Sequence, residues 1–241
     1  MSTLRQDDAG GNRSTGVGVL DRSVVLLDLL ADGPRTLRWL SGASGLPRPT
    51  AYRLLVALEA HRLVARDSSG AFGLGPRLTE LAVRAGPALD LAAVAGPVLS
   101  RLHEATGESV QLYVRSGDRR LCIAARDAGT GLRDSVPVGA LLPLDAGSGG
   151  KVLLAWSAPA GGTVAGGAEL AAVRRRGWAA SVAEREPGVA SVSAPVLAGG
   201  TMLGALCISG PASRIGTNPG KRLAPMIVEA AAHLATLATA P

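Results

Sequence analysis

Aromatic side chains are nearly missing from this chain of 241 residues: three Trp, two Tyr and one Phe, 2% of the total. Its core therefore has to be built from Ala, Val and Leu, and apolar residues at 47% supply enough of them. Lysine is almost absent too. Lys151 and Lys221 are the only two among 25 basic residues, so 23 are arginine. Cysteine occurs twice, at Cys122 and Cys207, too few for a disulfide-stapled fold. The pair reads as reduced thiols in a cytoplasmic protein. Histidine occurs three times, and no Cys/His spacing fits zinc, so neither a metal nor a cofactor is expected. No segment offers the ~20 clean apolar residues of a membrane helix. Residues 88–100 are apolar, but Gly96-Pro97 breaks them. Residues 1–16 are polar and Gly-rich, which predicts a disordered tail and no targeting signal.

The formal net charge is +6. Through Glu80 there are 10 basic and 8 acidic residues, giving +2; beyond it, 15 minus 11 gives +4. Neither half concentrates the surplus, so net charge permits a polyanionic partner without pointing to one. The arrangement of the charges has to carry that argument.

Residues 17–31 repeat apolar positions at Leu20, Val24, Leu27 and Leu30/Ala31, which is helical spacing, and Asp32-Gly33-Pro34 stops the run. "TLRWLSGASG" predicts a second short helix capped by Thr36, with Leu37 and Leu40 inward and Gly42 and Gly45 in the turn after it. "GLPRPTAYRLLVALEAHR" predicts a third. "LVARD" and "AFGLG" then read as two strands joined at Asp67-Ser68-Ser69-Gly70, a hairpin composition. Helix, helix, turn, helix and hairpin within about 60 residues is the winged helix-turn-helix pattern. Residues 77–86 and 88–106 predict helices. Strand-like segments follow at "ESVQLYVR", "RRLCIAAR", "WAASVA", "GVASVSAPVL" and "MLGALCISG", with helices at "KVLLAW", "ELAAVRRRG" and 222–239. This predicts a second, α+β domain on a mainly antiparallel sheet.

On a helix at 100° per residue, Ala51, Leu54, Leu55 and Leu58 share one stripe, and Arg53 points the opposite way. The stripe is expected to pack on the first two helices, leaving Arg48, Thr50, Tyr52 and Arg53 outward on the opening turn. A recognition helix is built in this manner. Arginine can hold guanine O6 and N7 in the major groove, while Thr50 and free first-turn N–H groups suit phosphate. Pro49 fits the first helical position, where an N–H would go unpaired. Exposed Arg and Tyr are ordinary on any solvated helix; it is the order of elements around them that points to double-stranded DNA.

The stretches "GLPRPTAYRLLVALE", the wing and "LGPRLTEL" resemble the N-terminal domain of IclR-type bacterial transcriptional regulators. "GESVQLYV", "VPVGALLPLDAGSGGKVLLAW", "AEREPGVASVSAPV" and "ALCISGPASRI" extend the similarity over roughly residues 17–238. It looks closest to the actinobacterial branch of NdgR and LtbR, associated with leucine and other amino-acid biosynthesis genes. The resemblance implies a disordered tail at 1–16, a winged DNA-binding domain at 17–76, a linker helix at 77–90 and a GAF-like effector-binding domain at 91–241. It also implies a homodimer or homotetramer acting as a repressor or activator on a near-palindromic operator. Pro49 and the recognition turn would meet DNA together with Arg66, Ser68 and Ser69 of the wing. The effector, an amino acid or a keto or hydroxy acid, would meet Ser148 and Gly149 of the glycine turn, Ser181 and Ser191 beside the charged loop, and Cys207 and Ser209 on the last strand. Relatives that bind glyoxylate-like ligands carry an acid and a thiol where this chain has Ser181 and Ser191.

Two other readings stay in view. "AGSGG" at 146–150 is one residue from the G-x-S-x-G elbow of serine hydrolases, which would make Ser148 a nucleophile. That fold needs a later loop histidine, whereas His61 and His103 precede Ser148 and His233 lies in a predicted helix. The chain could instead be a metabolite-binding protein whose winged domain contacts another protein. Arg174-Arg175-Arg176 reads as a solvated helix end favoured by the dipole.

Overall fold

The computed structural model describes residues 15–84, 87–129, 133–157 and 167–239; for 83–84 and 87–89 only the helical backbone is described. Most of the expected N-terminal tail, residues 1–14, lies outside them. The chain divides into two compact units, residues 1–85 and 86–241.

The first unit runs α1 (Gly18–Leu29), α2 (Leu37–Ser44), α3 (Arg48–Ala60), β1 (Val64–Arg66), β2 (Phe72–Leu74) and α4 (Pro76–Arg84). Thr36 caps α2 by accepting the Trp39 N–H at 3.3 Å, and Gly45 closes it in the left-handed region at φ +68°. Leu26, Leu30, Leu40, Leu55, Leu58, Val64 and Phe72 form one buried cluster. The only phenylalanine is thus the keystone of a core otherwise made of Leu and Val. The wing is tied down beyond its own two strands: Arg35 and Phe72 exchange backbone hydrogen bonds at 2.7 and 2.8 Å.

Three details differ from the sequence reading. The inward face of α1 is set by Leu26 and Leu30, while Leu20 and Val24 are exposed. The buried cluster takes in Leu26 and Leu30, with Leu27 and Leu29 packed against it, and no earlier residue of the helix. Helix α3 opens at Arg48 after Pro47, so Pro49 takes its second position. Gly42 lies within α2 rather than in the turn.

The second unit begins with α5 (Pro87–Thr106), followed by β3 (Ser109–Ser116), β4 (Arg119–Arg126), β5 (Leu141–Pro143), α6 (Ser148–Ala155), α7 (Gly167–Arg176), β6 (Ala179–Val182), β7 (Val189–Ala198), β8 (Thr201–Pro211), α8 (Ala212–Ile215) and α9 (Pro219–Ala238). The sheet order is β5-β4-β3-β8-β7-β6, and every pairing is antiparallel. Strand β5 and the single turn α8 carry no period of their own and were not legible. Helix α9 starts three residues earlier than 222, with Pro219 in its first turn.

Strand alternation sorts the two faces of this sheet. Val110, Leu112, Val192, Ala194, Leu206 and Ile208 join α5 and α9 in the larger core. Tyr113, Cys122, Ala205 and Cys207 join α6 and α7 in a smaller one. Both faces are covered, so β7 and β8 read as near-continuous apolar runs. The exceptions are serines: Ser191, Ser193 and Ser209 all lie buried on the α6 side. Among the described residues no helix is long and apolar enough to cross a membrane, and no group of three or more His, Cys, Asp or Glu is placed to hold a metal ion.

Candidate nucleic-acid interface and ligand cavity

The stripe expected on α3 is buried at Ala51, Leu55 and Leu58 and half-buried at Leu54, while Arg48, Pro49, Tyr52 and Arg53 are exposed and Thr50 is half-buried. Arg48 and Arg53 make no hydrogen bond or ion pair with the described residues. Their guanidinium groups are thus available at the opening turn of a helix anchored from behind.

The wing residues are more occupied. Arg66 bonds Glu59 at 3.1 Å and stacks over Phe72 and Tyr52, 4.5 and 5.5 Å from the ring centres. It ties the wing to α3 and orients Tyr52. Ser69 donates through its hydroxyl and its N–H to Asp67 at 2.6 and 2.9 Å, and Ala71 N–H adds a third bond at 3.0 Å. The Ser69 hydroxyl, helped by these backbone donors, holds the Asp67 carboxyl below the usual range. Ser68 is exposed at the tip.

In the second unit, Ser148, Gly149, Ser181, Ser191, Cys207 and Ser209 all border one cavity. Sequence positions separated by up to 61 residues converge there because α6 lies across the sheet with its N-terminus over β7 and β8. The cavity measures about 20 Å³, room for little more than one water. The Ser148 hydroxyl donates to Ser191 at 2.7 Å, shares a 2.8 Å bond with Ser193 and lies 3.9 Å from the Cys207 sulfur. Ser209 donates to Gln111 Oε1 at 3.0 Å. Among the described residues, Ser148 has hydroxyls and a thiol as its side-chain partners and no base to activate it as a nucleophile.

Six further residues complete the wall: Tyr113, Arg120, Asp134, Gly147, Arg185 and Val189. Arg120 is only 3% exposed, and its Nη1 donates to the carbonyls of Pro143 and Ala146 at 2.7 and 2.5 Å. Burial pulls its pKa down, though it stays a cation. Burial likewise pushes the Tyr113 phenol well above its usual value and the Cys122 thiol up to about 12. Cys207 is raised too, by burial, against weaker help from the Ser193 and Ser148 hydroxyls. Arg185 pairs with Asp134 and, at 2.8 Å, with Glu186. At the rim, Lys151 bridges Glu169 and Glu184 at 2.7 and 2.5 Å. Glu184 also accepts the Gly147 N–H at 3.2 Å. Burial alone would lower the Lys151 pKa, but the two carboxylates raise it.

Arg120 was missed because it sits in no motif, and Tyr113 because nothing within "GESVQLYV" singles it out. The usable signal was parity: in a strand, Arg120 must share a face with Cys122, while Arg119 faces away.

A family model described as the IclR helix-turn-helix domain matches residues 19–68, and one described as the C-terminal domain of the bacterial transcriptional regulator IclR matches 84–162 and 167–236. The HTH-type transcriptional regulator BhcR of Paracoccus denitrificans is 30% identical over 257 residues, covering 95% of this chain and 90% of BhcR. The HTH-type transcriptional repressor AllR of Salmonella typhimurium is 31% identical over 153 residues, 62% of this chain and 56% of AllR. Among solved structures, an IclR homologue of Microbacterium hydrocarbonoxydans complexed with 4-hydroxybenzoate superposes with a TM-score of 0.75 at 26% identity, covering 92% of this chain and all of the homologue.

Proposed function

The chain belongs to the IclR family of bacterial transcriptional regulators, and from that premise we propose that it regulates, as repressor or activator, amino-acid metabolism genes of the leucine type served by NdgR and LtbR. Its first unit binds DNA and its second binds a small-molecule effector. In the proposed scheme the protein is cytoplasmic and acts as a homodimer or homotetramer, with each winged unit reading half of a near-palindromic operator. The effector is an amino acid or a keto or hydroxy acid. It shifts the population between arrangements of the DNA-binding units through its unequal affinity for them.

One observation carries this reading: Arg48 and Arg53 stand free on the opening turn of α3 while Ala51 and Leu55, from the same turns, are fully buried. A helix held by its back and bare in front is what a groove-reading element requires. Pro49, Thr50 and Tyr52 are assigned to the same surface, with Arg66, Ser68 and Ser69 on the wing. The effector contacts are assigned to Ser148, Gly149, Ser181, Ser191, Cys207 and Ser209. The tight cavity favours a ligand of few heavy atoms.

Footprinting of the purified protein upstream of its own and neighbouring genes, with and without amino acids and keto acids, tests the scheme. A protected near-palindrome is expected, with affinity falling steeply as salt rises, because phosphate contacts release counterions. Arg53→Ala is expected to weaken specific binding by about 1–3 kcal/mol. Unchanged affinity in that variant removes Arg53 from the interface.

A further inference from the structure

We infer that Arg66 acts on the operator through Tyr52: held by Glu59, its guanidinium fixes the Tyr52 ring on the groove-facing side of α3, which makes Arg66 a positioning residue for sequence discrimination. The inference rests on reading α3 as the helix that enters the groove, and it gives Arg66 its role at that surface.

The first observation is where this guanidinium is spent. Arg66 ends β1, and its Nε and Nη2 both lie 3.1 Å from one oxygen, Oε2 of Glu59. Its central carbon sits 4.5 Å from the centre of the Phe72 ring and 5.5 Å from that of Tyr52. Phe72 is its cross-strand partner and belongs to the buried cluster. One flat group therefore bridges the core, the last turn of α3 and the exposed face of that helix. Tyr52 and Glu59 stand seven positions apart on α3, about two turns along one side, so a single arginine reaches both. The Glu59 carboxylate balances its charge.

The second observation is the contrast with the other cations of this unit. Arg62 and Arg77 both pair with Glu80. Arg48 and Arg53 are exposed and make no ion pair with the described residues. Charge is thus muted past the end of α3 and bare on its opening turn. A paired and stacked guanidinium has less to offer a phosphate than a bare one. What it does offer is order. Tyr52 is 44% exposed, and an unsupported ring there would sample several staggered rotamers. With Arg66 over it, the ring meets the duplex in one orientation, and its ordering is completed on folding instead of on binding. Planarity is essential to this role: lysine carries the same charge but has neither a flat face to stack nor a fork for the carboxylate.

The test uses the full-length protein. A duplex enriched from a random pool by the unaltered protein serves as operator, and an unselected duplex of equal length as reference. Fluorescence anisotropy over a salt series gives both affinities. Two replacements leave the net charge unchanged: Arg66→Lys, and Arg66→Met combined with Glu59→Gln. Each is expected to lower the ratio of selected to unselected affinity by about three- to tenfold, the range for one side chain left to be ordered on binding, with the salt slope unchanged. In a Tyr52→Ala background neither should lower the ratio further, because the contact they position is already gone. A phosphate contact predicts another pattern: Arg66→Lys would keep full affinity, while the double replacement would weaken both duplexes alike and reduce the salt slope by about 0.9. That pattern, or an undiminished effect in the Tyr52→Ala background, overturns the inference. An exposed ion pair adds little to stability, so the fold should survive; if the double replacement lowers the melting temperature, Arg66→Lys decides. The two readings fail separately. Full discrimination in both Arg53→Ala and Tyr52→Ala sinks the assignment of α3. Loss in those variants with none in Arg66→Lys sinks this inference alone.

Discussion

The Ser148 hydroxyl donates to Ser191 across 2.7 Å, joining the first residue of α6 to the third residue of β7. Both serines line the cavity, so a larger group at either end intrudes on the ligand's place. Ser148→Phe is expected to abolish the effector's influence on operator binding while leaving operator affinity intact. Gel-shift series with and without effector check it, and joint loss of both properties would argue against separate sites.

Leu55 is fully buried on the back of α3, opposite the exposed face that carries Arg53. Leu55→Ala is expected to destabilise the winged unit by about 2–5 kcal/mol, through lost transfer energy and the cavity left behind. Arg53→Ala should leave its melting unchanged. Paired thermal melts and gel shifts of the two variants separate loss of the fold from loss of recognition.

Gly75 follows β2 where the chain crosses Arg62. A Cβ there would fall 2.2 Å from the Arg62 carbonyl oxygen, a backbone atom that cannot swing aside. Gly75→Ala is therefore expected to displace the wing at a cost of roughly 1–3 kcal/mol. The measurement is chemical denaturation of the winged unit together with DNA affinity. Ligand binding in the second unit should persist.

Both thiols are buried and neutral. Native protein is expected to react with a thiol reagent near neutral pH far more slowly than unfolded protein, in which both cysteines become available. Burial raises Cys122 from its ordinary 9.0 to about 12, so its stabilising effect is complete below 9.0 and declines as pH rises toward 12. Across that window the loss is at most about 1.4 kcal/mol per pH unit. Denaturation of Cys122→Ser and of the unaltered protein at pH 8 and pH 11 checks the sign: the variant should fall less.

Much of the first unit was legible because each of its signals is local. Thr36 and Gly45 mark the two ends of α2, Asp67 to Gly70 mark the wing turn, and the stripe from Ala51 to Leu58 fixes the face of α3. Helix α1 misled because its exposed half, Leu20 and Val24, carries the same spacing as its buried half; only the partners distinguish them. The serines of the cavity were found through a resemblance, and their convergence depends on pairings such as Ser191 with Ser209 and Gln111 with Cys207 that no local period encodes. Arg120 was hidden more deeply. It follows another arginine after a turn, which looks like a wet strand end, and it becomes an interior cation only when the segment from Pro143 to Gly149 folds over it.

The doubly covered sheet ties two things together. The strands that offer Ser191 and Ser209 to the cavity carry Val192 and Ile208 on their reverse side, against the long helices α5 and α9. A molecule wedged under α6 leans on a wall only one strand thick. Because interiors are close-packed, that pressure has nowhere to dissipate before it reaches α5. That helix is also the first element of this unit, so whatever alters the packing under α6 bears on the element with which the unit begins.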